Sequence, residues 1–241
     1  MAKYWTRSWN PMIGCSPISE GCRNCFVKRW AKRFGFNFQP HLIQSAFDKP
    51  LSWRKPEIIF TGLMTDIFHE FWIDNQIGCL FNVMEKANWH KYLICTKRPE
   101  RMAGILFGWK YLVHTGHFSA GNHIWVGVSI ENQRVLAERI DFISKINVPK
   151  FWLSFEPLLS PVIIPDFFWK EIDFIAIGCD TGGQHQRRPC KIEWVRDIVQ
   201  SAKANHVKVF VKQLEITKRG SSKVSHNPEE WPEDLRIRQM I

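Results

Sequence analysis

A chain of 241 residues with 45% hydrophobic content has the size of one large domain, and its formal net charge of +10 makes it strongly basic. No basic leader followed by an apolar run opens it, and no run approaches the ~18 apolar residues of a membrane helix. The expectation is therefore a soluble, cytoplasmic, monomeric protein with no membrane partner.

Seven cysteines are an odd number, and three of them lie close together, which fits metal binding in a reducing compartment better than a disulfide framework. The 12 Trp and 18 Phe can fill a large core or wall a planar ligand, and core filling accounts for most of them. The positive charge is concentrated early. Residues 1 to 57 hold ten Lys and Arg against Glu20, Asp48 and Glu57, a net of +7. Such a surface attracts a polyanion, so DNA or RNA is the expected partner of the basic N-terminal region.

In chain order, Lys3 to Ile13 reads as a first strand that runs into Cys15, Cys22 and Cys25, spaced C-x6-C-x2-C. Three thiolates can hold a metal or a cluster and leave one coordination position open for chemistry. A [4Fe-4S] cluster is the leading reading. Zinc is the alternative, and it would need a fourth ligand from His69, Cys95, Cys179 or a histidine of the 108–123 segment. Free thiols are disfavoured, because three cysteines within eleven residues of a loop are rarely core packing.

After Cys25, Phe26, Val27, Trp30, Ala31 and Phe34 recur at helical spacing, with Lys28, Arg29, Lys32 and Arg33 on the other side. The pattern predicts an amphipathic helix with those four cations as nucleic-acid contacts. A repeated unit of apolar strand, polar loop and helix follows. Strands are predicted at Glu57–Phe60, Tyr92–Cys95, Ile124–Val128, Phe151–Leu153, Phe174–Ile177 and Val207–Val211. Helices are predicted around Ile73–Met84, Glu100–Leu106, Leu136–Ile143 and Trp194–Ala202, whereas 108 to 123 reads as an insertion without periodicity.

Alternating strands and helices imply parallel pairing with right-handed crossovers. The predicted fold is α/β, a partial or full (β/α) TIM-type barrel over 1–214, with 215–241 as a polar tail packing on it. The barrel is preferred to an open doubly wound sheet because polar groups follow nearly every strand: Asp66, Thr96-Lys97-Arg98, Ser129 with Glu131 and Asn132, Glu156, Asp180 and Lys212. At one barrel mouth these groups meet water, a ligand or each other, which charges buried singly would not. Within that set Glu156 and Asp66 are the candidate general acid and base, and Lys97, Arg98 and Lys212 the anion contacts. Arg98 joins the predicted nucleic-acid set.

The runs Trp9-Asn10-Pro11-Met12-Ile13-Gly14-Cys15 and Gly21-Cys22-Arg23-Asn24-Cys25 resemble the start of a phage and bacterial family called Gp37/Gp68-like, or three-Cys-motif, proteins. Thr65-Asp66-Ile67-Phe68-His69-Glu70, Cys95 to Met102, Gly127 to Gln133, Ser154 to Leu159 and Lys212-Gln213 continue the resemblance along nearly the whole chain. That family is similar to radical S-adenosylmethionine enzymes.

The resemblance implies a [4Fe-4S] cluster at the barrel mouth, S-adenosylmethionine as a second cofactor, an external electron donor, and repair or modification of a nucleic acid or nucleotide. It further implies that the Thr65 loop meets the cofactor's amino group, that Ser129, Glu131 and Asn132 lie near its ribose, and that Glu156 and Lys212 reach its carboxylate or the substrate. Thr96 and Lys97 complete the expected cofactor set. Two departures stand out: those enzymes commonly space their cysteines C-x3-C-x2-C, and Gly62-Leu63-Met64-Thr65-Asp66 stands where they carry a glycine-rich motif. The other readings are a zinc protein that binds nucleic acid without radical chemistry, and an iron-sulfur protein for electron transfer or sensing.

Overall fold

The computed structural model describes residues 3–112, 121–183, 185–218 and 220–241. Its strands are β1 (Arg7–Trp9), β2 (Met12–Ile13), β3 (His41–Leu42), β4 (Ile58–Thr61), β5 (Lys91–Thr96), β6 (Ile124–Ser129), β7 (Phe151–Phe155), β8 (Phe174–Gly178), β9 (Lys208–Lys218) and β10 (Ser221–Ser225). Its α-helices are α1 (Phe26–Phe34), α2 (Lys49–Ser52), α3 (Asp74–Lys86), α4 (Pro99–Leu112), α5 (Gln133–Ile143) and α6 (Ile192–Ala204). None of the described helices is long and apolar enough to cross a membrane.

One eight-stranded sheet has the order β1-β4-β5-β6-β7-β8-β9-β10. Every neighbouring pair from β1 to β9 is parallel, and only β10 runs antiparallel, as a hairpin on β9. The sheet is rolled. In a flat sheet β4 and β9 would stand about 24 Å apart, five steps of about 4.8 Å. Yet the Tyr4 ring lies 6.3 Å from Phe60 of β4 and 5.4 Å from Phe210 of β9, and it also touches Trp152 and Phe174. The strands therefore curl around an N-terminal aromatic plug as a partial barrel. Among the described residues β1 pairs only with β4 and β10 only with β9, so hydrogen bonds do not close the ring.

Both faces of these strands are covered, which explains their nearly unbroken apolar runs. Alternate residues Phe60, Leu93, Trp125, Trp152, Phe174 and Phe210 point inward to Tyr4 and Trp5. The residues between them, such as Ile59, Tyr92, Ile94, Val126, Leu153 and Ile175, meet the outer helices through Ile77, Leu80, Phe81, Leu136 and Ile198. The aromatic residues are thus shared between this inner core and the outer layer, where Trp9, Trp72, Phe81 and Tyr92 pack.

The structure differs from the predicted elements at four places. Trp9 ends β1, and Met12–Ile13 forms a separate two-stranded ribbon with His41–Leu42. Helix α4 continues past Leu106 to Leu112, so part of the predicted insertion is helical, and 113–120 lie outside the described residues. Strand β9 continues through Glu215 to Lys218, because its polar residues alternate at the edge of a hairpin. Finally, Trp30 and Phe34, predicted on the buried side of α1, are 47% and 66% exposed; only Val27 and Ala31 seat that helix.

The C-terminal segment covers the part of β9 before Leu214, which β10 does not reach. Val211 N–H donates to Ile237 O, Gln239 N–H donates to Val209 O, and Ile241 enters the inner core. Inside the sheet, Gly127 allows the Trp152 indole to lie across β6. An added Cβ would sit 2.4 Å from that ring. The indole cannot swing away cheaply, since its Nε1 donates to Ile94 O and Trp125 O at 3.1 and 3.2 Å. Gly127→Ala is therefore expected to destabilise the fold by about 1–3 kcal/mol, read as a lower urea midpoint in equilibrium unfolding.

Candidate functional site

Parallel strands with helices outside bring all their C-terminal ends to one rim, so the loops that leave them surround a single space. Here that space is a cavity of about 260 Å³. Its wall includes Cys15, Cys22 and Cys25 together with Thr65, Asp66, Thr96, Lys97, Arg98, Ser129, Ser154, Glu156, Cys179, Asp180, Lys212 and Gln213. The sequence-predicted mouth residues meet there, with the exceptions of Glu131 and Asn132.

The cysteine loop is wound tightly. Cys22 N–H donates to Ser19 O, Cys25 N–H to Cys22 O, and Arg29 N–H to Cys25 O as α1 begins. Side chains from four strand ends hold it. Arg98, after β5, donates from Nη2 to the Ser16 carbonyl and hydroxyl at 3.2 and 3.1 Å, and its Nη1 is 3.8 Å from Cys15 Sγ. His69, after β4, has Nε2 2.8 Å from Ser16 Oγ. Glu131, after β6, accepts from Ser19 Oγ at 2.7 Å, and Asn132 donates to Glu20 while capping α5 through Val135 N–H. Asp180, after β8, accepts from Asn24 Nδ2 at 2.8 Å. Gly21 is required for this docking, since a Cβ there would lie 2.5 Å from the Glu131 carboxylate.

Arg98 was predicted as an anion and nucleic-acid contact, and the structure corrects that placement. It is 6% exposed, and besides the loop it binds Asp66 at 3.3 Å and Glu70 at 2.8 Å. A buried guanidinium with its donors engaged anchors Cys15 and has none to offer a polymer. Glu131 and Asn132 likewise support the loop from outside the cavity wall. Glu131 is fully buried, with Arg139 at 3.2 Å and Lys97 at 3.4 Å. Asp66 accepts from Thr96 Oγ1, Phe68 N–H, Lys97 N–H and Arg98, so both of its oxygens are occupied. Lys28, Arg29, Lys32 and Arg33 are exposed on α1, as predicted, although Arg29 also donates to Thr181 O and Oγ1.

Three thiols on one cavity wall are a suitable donor set for a cluster. Burial, reinforced by Asp66, pushes the Cys15 thiol up to about 11, and the Arg98 guanidinium works against that rise. Metal binding would displace its proton. Among the described residues no three His, Cys, Asp or Glu side chains are grouped as they would be around one metal ion. Tetrahedral zinc at Zn–S of about 2.3 Å would draw its sulfurs to about 3.8 Å from one another.

Of the proposed fourth zinc ligands, Cys95 and Cys179 line the cavity wall with the three thiols. His69 is outside the cavity wall, and its Nδ1 also receives Phe71 N–H. Burial raises the Cys95 thiol to about 12 and the Cys179 thiol higher still. His123 sits against Met84 O, whereas His114 and His117 lie outside the described residues.

The profile of a family described as a protein of unknown function, DUF5131, matches residues 2–232. The chain belongs to this family. No curated protein matches it. Among solved structures, a spore photoproduct lyase complexed with dinucleoside spore photoproduct is similar at 12% identity and a TM-score of 0.46, over 92% of this chain and 69% of that one. A point mutant of spore photoproduct lyase is similar at 13% identity and a TM-score of 0.48, with the same coverage.

Deeper in the cavity of this DUF5131 chain, Glu156 accepts from Tyr4 Oη at 2.6 Å and from Ser154 Oγ at 3.2 Å, and Lys212 Nζ lies 2.7 Å from its Oε1. Burial opposes the charge, but Lys212, Tyr4 and Ser154 together hold the carboxyl below its ordinary value of 4.5. Sequence reasoning named Glu156 and Lys212 and missed Tyr4, whose partner is 152 positions away. It also passed over Gln213 as a site residue. The Gln213 Nε2 donates to Cys179 O, while its buried Oε1 has no partner among the described residues. The only available signal was the position of Gln213 directly after Lys212 at the last strand.

A carboxyl whose folded value is depressed contributes stability above its unfolded value, and that contribution is lost as pH falls through the folded one. Glu156→Gln is expected to lower stability by about 3 kcal/mol at neutral pH, by leaving Lys212 unpaired. The gap between variant and parent should narrow below about pH 4.5. Urea midpoints measured across that range check both the size and the sign.

Proposed function

We propose that this chain is a radical-type iron-sulfur enzyme that uses S-adenosylmethionine and acts on a nucleic acid or nucleotide. Cys15, Cys22 and Cys25 would hold a [4Fe-4S] cluster. The observation that carries the reading is the common cavity of the three thiols at the strand C-termini of a partial barrel, where a group they held would face the polar side chains of the same wall. When bound, such a cluster supplies the electron for reductive cleavage of a sulfonium carbon–sulfur bond, and an external protein must in turn supply that electron.

In this reading the chain's own residues divide the work. Arg98, Ser19, Asn24 and Glu131 fix the cysteine loop. Asp66 positions the loops after β4 and β5, since its oxygens are taken by groups of both. Thr65, Thr96, Lys97 and Ser129 present hydroxyls and a cation along the wall where the second cofactor would bind. Lys97 bonds Ser129 Oγ at 2.5 Å and is kept charged by Glu131, although burial opposes the charge. Glu156, between Tyr4 and Lys212, is the group that would take or give a proton.

Anaerobic reconstitution with iron and sulfide tests the proposal. Full-length protein should bind about four iron and four sulfide and absorb near 400 nm. Replacing Cys15, Cys22 or Cys25 by Ala should abolish this, whereas replacing the exposed Cys79 should not. Glu156→Gln should keep its iron and lose about a hundredfold in turnover. One zinc per chain with no iron uptake would overturn the reading. A cluster whose spectrum ignores S-adenosylmethionine would reassign the protein to electron transfer or sensing.

A further inference from the structure

Helix α1 carries a surface that the cluster reading leaves unused. Its sequence, Phe-Val-Lys-Arg-Trp-Ala-Lys-Arg-Phe, contains four cations and no acid. Phe26, Trp30 and Phe34 recur at every fourth position, so their rings form one row with steps of about 6 Å along the axis. The row starts at the cavity, because Phe26 is part of its wall. Trp30 meets Phe26 edge to face at 5.2 Å, and Phe34 stands in solvent at the far end.

Buried Val27 and Ala31 fasten the helix on one side of the row. On the other side, Arg29 ties it to Thr181 of the cavity wall, and the Arg33 guanidinium lies 5.4 Å from the Phe34 ring. Among the described residues none covers Trp30 and Phe34, which stay 47% and 66% exposed.

We infer that α1 is a landing strip for single-stranded nucleic acid, on which bases stack against Trp30 and Phe34 while Lys28, Lys32 and Arg33 meet the phosphates. Exposed rings beside cations suit a single strand, whose base faces are free to stack; a duplex hides those faces and would need only the charges. An acid-free helix complements a polyanion along its whole length. A short basic helix with exposed aromatics also suits an anionic membrane surface. The aromatic row begins at the cavity wall, however, where a flat bilayer cannot follow and a flexible strand can. The inference deepens the proposed nucleic-acid substrate and rests on that reading only for where the strand leads, since binding itself needs no cluster.

The test is fluorescence anisotropy of reconstituted full-length protein with a labelled oligothymidylate, with a duplex of equal length, and, as a sedimentation arm, with phosphatidylserine vesicles. The single strand should bind about tenfold more tightly than the duplex. The double variant Trp30→Ala with Phe34→Ala should lose about tenfold in single-strand affinity, because each ring forfeits a stacked base, while its salt dependence stays that of the parent. Lys32→Ala with Arg33→Ala should instead flatten the log–log salt slope by about 0.7 per cation removed. If the double aromatic variant unfolds, Phe34→Ala alone, at the most exposed ring of the row, decides the matter.

Equal affinity for both oligonucleotides, an unchanged aromatic variant, or binding to vesicles alone would overturn the inference. Iron content read on the same preparation separates the two proposals. Full iron without strand binding overturns only this one, and strand binding without iron overturns only the cluster.

Discussion

The contact between Arg98 and Asp66 fixes the geometry on which the site depends. A guanidinium taken from water must be met by acceptors on nearly every side. Arg98 finds them in Asp66, Glu70 and both oxygen atoms of Ser16. The two acids follow β4, the arginine follows β5, and the serine belongs to the cysteine loop. One buried cation thus sets the distance between two strand ends and the thiol of Cys15. Because the demand for acceptors is strict, the loop is placed by the barrel and does not depend on its own internal turns.

The remaining polar groups at the mouth fall into two sets with different physical tasks. Glu131, Asn132 and Asp180 face the underside of the loop and are spent on its hydroxyl, amide and charged groups. Lys97, Ser129, Glu156 and Lys212 remain at the cavity wall. Both sets tolerate burial because each charge has an opposite within reach: Lys97 with Glu131, and Lys212 with Glu156. The same rim can therefore be a rigid mount and a polar chamber.

The parts legible in the sequence were those encoded over a few neighbouring residues. Apolar runs such as Ile124–Val128 announced strands, the polar groups after them announced a common mouth, and the first-strand position of Cys15, Cys22 and Cys25 announced that their loop would join it. What escaped depends on partners far along the chain. Periodicity put Trp30 and Phe34 with Val27 and Ala31, but only Val27 and Ala31 meet another surface. Arg98 read as an anion contact at the mouth because nothing local shows that Asp66, Glu70 and Ser16 converge on it. Glu131 and Ser129 stand two positions apart and face different tasks, a difference made by the loop pressing on one of them. The polar stretch from Glu215 read as a tail because an edge hairpin needs few apolar residues.

The aromatic plug carries a consequence for how the chain comes together. Tyr4 lies near the N-terminus, yet its hydroxyl bonds to Glu156 and its ring packs on Phe174 and Phe210. On a ribosome the first residues emerge long before these partners exist, and closing so long a loop is entropically slow. The outer layer of β4, α3 and β5 can assemble early from contacts near in sequence. The interior can seal only once β9 has been made. Tyr4 and Trp5 must therefore wait until Phe174 and Phe210 have been made, which makes the plug late to find its place in the barrel.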